Sequence, residues 1–197
     1  MKQIIIATKN KGKAKEFKEF FSKHDIEAIS LLDLEQEIPD VEETGSTFEE
    51  NAALKAEQIA NLLKTPVLAD DSGLMIDALD GRPGLFSARY AGEPKNDQAN
   101  IRKVLEEMQE VPVSERTARF ICVLAVAIPG ENTIFRTGFC EGTISNLEKG
   151  ENGFGYDPIF TPDGYEVTMA ELPAEIKNQI SHRKNAITQL EKWIHSL

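Results

Sequence analysis

The chain opens on "QIIIAT" at residues 3–8, an apolar run of strand length with no helical period. It passes directly into "KNKGKAKEFKEFFSKHD", where Ala14, Phe17, Phe20 and Phe21 recur at helical spacing. Strand, loop and helix in that order begin an α/β arrangement. The loop holds Thr8, Lys9, Asn10, Lys11, Gly12 and Lys13 ahead of, or inside, the first helical turn. Free N–H groups and the positive dipole end of a helix suit an anion, so this loop is a candidate phosphate site. It is not a Walker A loop, because Gly12-Lys13 is followed by Ala14 and lacks the earlier glycine.

The alternation continues. "TFEENAALKAEQIANLLK" (47–64) reads as a helix with Thr47 and Glu50 as a capping box and an apolar stripe on Phe48, Ala52, Ala56, Ile59 and Leu63. Asn51 and Lys55, four apart, both border that stripe. In "TPVLADDSGLMIDAL" (65–79) a short buried strand over 66–69 is expected to end on Asp70, Asp71 and Ser72. Paired acids are costly to bury without a cation, and at the carboxyl end of a core strand they meet a ligand or metal. A solvated turn is the plain alternative.

"NDQANIRKVLEEMQEV" (96–111) is an amphipathic helix, and "RTARFICVLAVAI" and "NTIFRTGFCEGTI" are two long strands joined at "PGEN" as a hairpin. Then comes "GENGFGYDPIF" (150–160), with three glycines, two aromatic rings and two acids ahead of Pro158. Glycines let a ligand approach backbone closely, and Phe154 and Tyr156 offer flat faces. A tight turn between strands is the simpler reading of such a stretch taken alone. Near the end, Ser181 is placed to cap a helix whose first turn holds His182 and Arg183.

Charge and composition exclude several classes. Net charge is −11, which argues against a duplex-binding surface and so against a nucleic-acid partner. The charge is uneven: residues 1–20 carry six Lys against two Glu, and residues 33–50 carry eight acids with no Lys or Arg. No apolar run approaches the ~20 residues of a membrane span, and the N-terminal apolar stretch is too short for a signal peptide. No membrane association and a cytoplasmic location are the expectation. Cys122 and Cys140 fit buried thiols better than a disulfide framework. There is no G-x-S-x-G, H-E-x-x-H or C-x-x-C, and His24, His182 and His195 lack zinc-ligand spacing, with His24 and His195 read as surface residues. What remains is oxygen-rich: Glu42, Glu43, Asp70, Asp71 and Asp157. Such ligands suit Mg²⁺ shared with phosphate oxygens, and the composite is a Mg²⁺-dependent nucleotide phosphohydrolase.

"TKNKGK", "ADDSGL", "GFGYDPIF" and the "SHR" preceded by Lys177 stand in one order across nearly the whole chain. Together with "EETGSTFEENAALKA" and "PGLFSARYAG" they resemble the inosine/xanthosine triphosphate pyrophosphatase family, the HAM1-like proteins. The resemblance implies an α/β fold of two lobes on a long mixed β-sheet flanked by helices, with an active-site cleft between the lobes. It implies a homodimer, and one domain over 1–197. It implies hydrolysis of ITP, dITP and XTP to the monophosphate and pyrophosphate with Mg²⁺. Carried over by position, Thr8 to Lys13 and Lys55 contact the triphosphate. Glu42 and Asp71 serve the metal, with Glu43 an alternative to Glu42, and Asp71 is also the general base. Ser72, Phe154, Gly155, Tyr156, Asp157, Lys177, His182 and Arg183 contact substrate. Two other readings stand beside this one: a Maf-like pyrophosphatase for pyrimidine or modified nucleotides, and a non-catalytic nucleotide-binding module. The acid pair disfavours the second of these, since binding alone does not require it.

Overall fold

The structure, a computed structural model, describes residues 2–195. Its elements are β1 (Gln3–Ile6), α1 (Lys11–Ser22), β2 (Glu27–Ser30), α2 (Phe48–Leu63), β3 (Val67–Ile76), α3 (Asp97–Glu107), β4 (Thr117–Ala127), β5 (Ile134–Ile144), β6 (Phe160–Pro162), α4 (Ala174–Ile180) and α5 (His182–Ile194). They form a mixed α/β fold around a six-stranded sheet in the order β2-β1-β3-β4-β5-β6. β1 pairs in parallel with β2 and with β3, whereas β6 runs antiparallel to β5. Parallel β1 and β2 require a crossover, and α1 supplies it. β4 and β5 are neighbours joined by residues 128–133, a connection too short for a parallel crossover, so the expected hairpin forms.

The chain divides into two compact units. The first is Met1–Asp71, Val123–Thr137 and Ala186–Leu197; the second is Ser72–Cys122 and Gly138–Asn185. In the first, Ala14, Phe17, Phe20 and Phe21 of α1 are all buried, as their spacing requires, with Ile4, Ile5 and Ile6 of β1. Burying a phenylalanine of this kind is worth roughly 1.5–3 kcal/mol, enough to fix α1 in place. α2 buries Phe48, Ala52, Ala56 and Ile59, and also the polar Asn51. Thr47 caps α2 by accepting from the Glu50 N–H at 3.1 Å. The Glu50 carboxylate reaches back to the N–H and hydroxyl of Ser46 rather than closing the box on Thr47.

The second unit has its own core, with Leu74, Ile76, Ile101, Val104, Met108, Phe120, Ile159, Phe160 and Met169 among its members. Arg116 lies inside it at 3 % exposure. Its guanidinium donates to the carbonyls of Ile144, Met108, Val111 and Ser145 at 2.8, 2.7, 3.1 and 3.2 Å. A rigid fork of five donors is the side chain suited to gathering four loop and strand ends.

β3 differs from expectation. It does not stop at Ala69 but runs on through Asp70, Asp71 and Ser72 to Ile76. The acids therefore sit inside a strand. The apolar run "GLMI" that follows them is buried at Leu74 and Ile76, and that burial keeps the chain extended where turn-forming residues alone suggested a stop.

Candidate active site

The first unit gathers acids and lysines from three elements. β3 presents Asp70 and Asp71. Lys13, in the first turn of α1, donates to Asp70 Oδ2 at 2.5 Å. Asp70 is 4 % exposed and Lys13 24 %, so Lys13 compensates a carboxylate that is costly to keep ionised at that burial. Lys55, on α2, donates to the Asp70 carbonyl at 2.5 Å and to Glu43 Oε1 at 2.8 Å, and lies 3.9 Å from Asp71 Oδ1. Burial is the largest single influence on Lys55 and works against its charge. Asp70, Asp71 and Glu43 together outweigh it and hold the ammonium above its ordinary pKa.

The acidic segment is tied to α2 from below. Asn51 accepts from the Gly45 N–H at 2.8 Å. A Cβ at Gly45 would stand 2.7 Å from Asn51 Oδ1, so only glycine allows this approach. Of the neighbours Glu42 and Glu43, it is Glu43 that meets Lys55, while Glu42 is solvent-exposed.

The loop before α1 is organised by Asn10. Its Oδ1 accepts from the N–H of Gly12 at 2.9 Å and of Lys13 at 3.1 Å, and its own N–H donates to Thr8 Oγ1 at 3.1 Å. Two of the N–H groups expected to face a phosphate are thus taken by the cap. The helix dipole and the lysines remain as the features of this loop that suit an anion. Lys9 pairs with Asp40 at 2.6 Å, but with 48 % and 88 % of the side chains exposed the pair is worth at most about 1 kcal/mol. Lys11 is exposed.

In the second unit the glycine-rich stretch forms a loop pinned at several points. Gly150, Gly153 and Gly155 all have positive φ. Asp157, 5 % exposed, accepts from the Phe154 N–H at 2.9 Å and from the Lys177 ammonium. The Gly155 N–H donates to Asp97 Oδ2 at 2.9 Å. Phe154 stands out at 65 % exposure, with Lys177 Nζ 4.7 Å from its ring centroid. Tyr156 does the reverse. Expected as an open aromatic face, it is 4 % exposed, and its hydroxyl donates to the Ser87 carbonyl at 2.7 Å. Burial pushes its phenol well above the ordinary range. Its ring belongs to the core and anchors the loop.

His182 and Arg183 occupy the first turn of α5, where Ser181 Oγ accepts from the Lys184 N–H at 3.2 Å. The His182 ring stacks on the buried Phe120 at 5.0 Å and 18°, and His182 and Arg183 are themselves half-buried. Ser72, next to Asp71 in β3, is also half-buried.

Sequence reasoning missed Asp97 and Ser87, which meet the loop, and Asn100, which holds the segment that carries Ser87. Asn100 accepts from the Ala91 N–H at 2.7 Å and donates to the Ala88 carbonyl at 3.1 Å. Asp97 is 58 residues from Gly155 in the chain, and no local pattern announces their contact. His24 was expected at the surface, yet its side chain is only 9 % exposed, because it packs on Phe20 at the end of α1.

A mixed sheet whose third strand carries an acid pair met by lysines from two helices, with a clamped glycine loop in the second unit, defines an α/β protein of a distinct class. The chain belongs to the Ham1 family, whose model matches residues 4–193. It is 73 % identical over 197 residues, all of both chains, to a protein of Oceanobacillus iheyensis named dITP/XTP pyrophosphatase. It is 58 % identical to the protein of that name from Halalkalibacterium halodurans, over 98 % of this chain and all of the other. Among solved structures, the Staphylococcus aureus Ham1 protein matches with a TM-score of 0.92 at 48 % identity, covering 99 % of each chain. A HAM1 protein from Coxiella burnetii matches with a TM-score of 0.93 at 42 % identity over the full length of both.

Proposed function

We propose that this chain is a nucleoside triphosphate pyrophosphatase that hydrolyses ITP, dITP and XTP to the monophosphate and pyrophosphate. It thereby removes aberrant purine nucleotides from the precursor pool of the cytoplasm. The observation that carries this reading is the convergence of Lys13 and Lys55 on the Asp70–Asp71 pair. The full-length identity to proteins named for that activity supports it.

The roles divide by unit. In the first, Lys13, Lys55 and the Thr8–Lys13 loop bind the triphosphate. Asp70 holds Lys13 in position, and Asp71, more accessible at 14 % side-chain exposure, accepts the proton of the attacking water. The oxygen of that water bonds to the α-phosphorus, the bridging bond to the β-phosphate breaks, and pyrophosphate leaves. The donor set fits a hard divalent cation, since it offers carboxylates without thiol or imidazole. Glu42 and Asp71 would hold Mg²⁺, because Glu43 already answers Lys55. Mg²⁺ bound there would neutralise charge on the leaving pyrophosphate.

In the second unit, Lys177 lies beside the Phe154 ring, and Phe154 stacks on the purine. Such a stack is worth roughly 1–3 kcal/mol and is blind to base identity. Identity is read by donors. Inosine and xanthosine present an acceptor at O6 where adenosine presents an amino group, and Arg183 supplies donors only. Ser72, His182 and the backbone at Gly155 complete the substrate contacts, with Tyr156 and Asp157 holding the loop. One domain over 1–197 is proposed, because β3, β4 and β5 each contribute residues to both units. A homodimer is proposed as well, consistent with exposed Phe86 and Phe139. Among the described residues no helix is long and apolar enough to cross a membrane.

The test is a panel of ITP, dITP, XTP, GTP and ATP with Mg²⁺, scored for pyrophosphate against phosphate release. Pyrophosphate from the first three, well above the last two, is the expected result. A preference for pyrimidine nucleotides, or no turnover, would overturn the reading.

A further inference from the structure

The geometry points to a second metal site, built from His24, Glu191 and His195 and suited to Zn²⁺. The three side chains each offer one ligating atom, and these atoms all lie within 4.8 Å of one another. They come from the two ends of the first unit's chain. His24 follows the C-terminus of α1, Glu191 is in the last turn of α5, and the His195 N–H donates to the Glu191 carbonyl at 3.1 Å. Glu191 and His195 are therefore an i, i+4 pair on one side of a helical turn.

The independent sign of a ligand is His24 Nε2. This nitrogen is buried, and it has no hydrogen-bond partner. The side chain around it is 9 % exposed. It points at Glu191 Oε1 from 3.6 Å, too far for a hydrogen bond. Aromatic packing explains where the ring lies: the Phe20 and His195 rings sit at 5.0 and 5.2 Å, both edge-on. It does not explain a buried nitrogen that stands at ion-pair distance from a carboxylate yet makes no hydrogen bond. A cation does. In a tetrahedral zinc site, bonds of ~2.0–2.1 Å put donor atoms about 3.3 Å apart, close to the separation already present between His24 and Glu191. His195 is exposed, so its ring closes the site by rotating about its own side-chain bonds.

Two imidazoles and one carboxylate select the first-row metals over Mg²⁺, which prefers an all-oxygen octahedron. This set is chemically distinct from the carboxylates around Asp71. Three protein ligands leave a fourth position to water. A metal here ties α1 to the C-terminal helix, so its effect is on stability rather than on turnover.

The experiment is calorimetric titration of the metal-stripped full-length protein with ZnCl₂ in excess Mg²⁺, which occupies the carboxylate cluster. The wild type is expected to bind one Zn²⁺ per chain and to melt at a higher temperature with it. His195→Ala and Glu191→Gln change exposed side chains. Each is expected to weaken binding by roughly tenfold or more and to abolish the melting shift, with Mg²⁺-dependent ITP hydrolysis unchanged. Absence of zinc binding in the wild type would overturn the proposal. So would equal binding in both variants, which would put the metal at the carboxylates instead.

Discussion

Replacing Gly153 by alanine tests the loop architecture with a magnitude that the geometry supplies. Gly153 sits at φ +83°, where a Cβ would overlap Asp157 Oδ2 and stand 2.7 Å from Lys177 Nζ. The left-handed backbone alone costs alanine roughly 1–2 kcal/mol. Asp157 has no room to retreat, since its Oδ2 also receives the Phe154 N–H at 2.9 Å. Breaking a buried ion pair costs roughly 3–5 kcal/mol, and the 17 % exposure of Lys177 places this one at the lower end. The sum is roughly 4 kcal/mol. Gly164 provides the control: its φ is +84°, and nothing lies within 4 Å of its Cβ position. Gly164→Ala should therefore lose only the backbone share, roughly 1–2 kcal/mol. Urea denaturation of both variants gives the difference, and KM for ITP reports any opening of the loop. Equal stability losses to within about 0.5 kcal/mol, with KM unchanged, would refute the clamp.

Asp71→Asn should lower kcat for ITP by at least ~10²–10⁴ while substrate binding changes far less, measured by steady-state kinetics and equilibrium titration. Arg183→Ala should lower kcat/KM for ITP and XTP far more than for ATP, because a lost O6 donor penalises only the bases that use it; a uniform fall would leave Arg183 as a general anion contact. Lys55 is held above its ordinary value of 10.5, so its contribution to stability is complete below that pH and is lost as pH rises through the higher folded value. Urea midpoints of the wild type should fall in this alkaline range, and Lys55→Met should lack that part of the fall.

Local pattern carried the helices well. The spacing of Phe17, Phe20 and Phe21 defines α1, and Thr47 marks where α2 begins, because caps and apolar stripes are short-range features. α3 closes at Glu107, before the apolar pattern ends at Val111. The β3 extension was not legible, since Asp-Asp-Ser-Gly reads as a turn until the burial of Leu74 and Ile76 is known. The motifs named most of the candidate site but not its wiring. Lys13 meets Asp70 across 57 residues, and Asp97 meets Gly155 across 58. Nothing periodic encodes such contacts. The same holds for His24 and His195, placed apart by their spacing and brought together by the packing of the first unit.

The central claim is that water, with Asp71 as the base, attacks the α-phosphorus of a non-standard purine triphosphate. Hydrolysis of ITP in ¹⁸O-labelled water, read by mass spectrometry of both products, tests it most directly. The expected result is one ¹⁸O in the monophosphate and none in pyrophosphate. Label in the pyrophosphate, or release of single phosphates, would contradict the account.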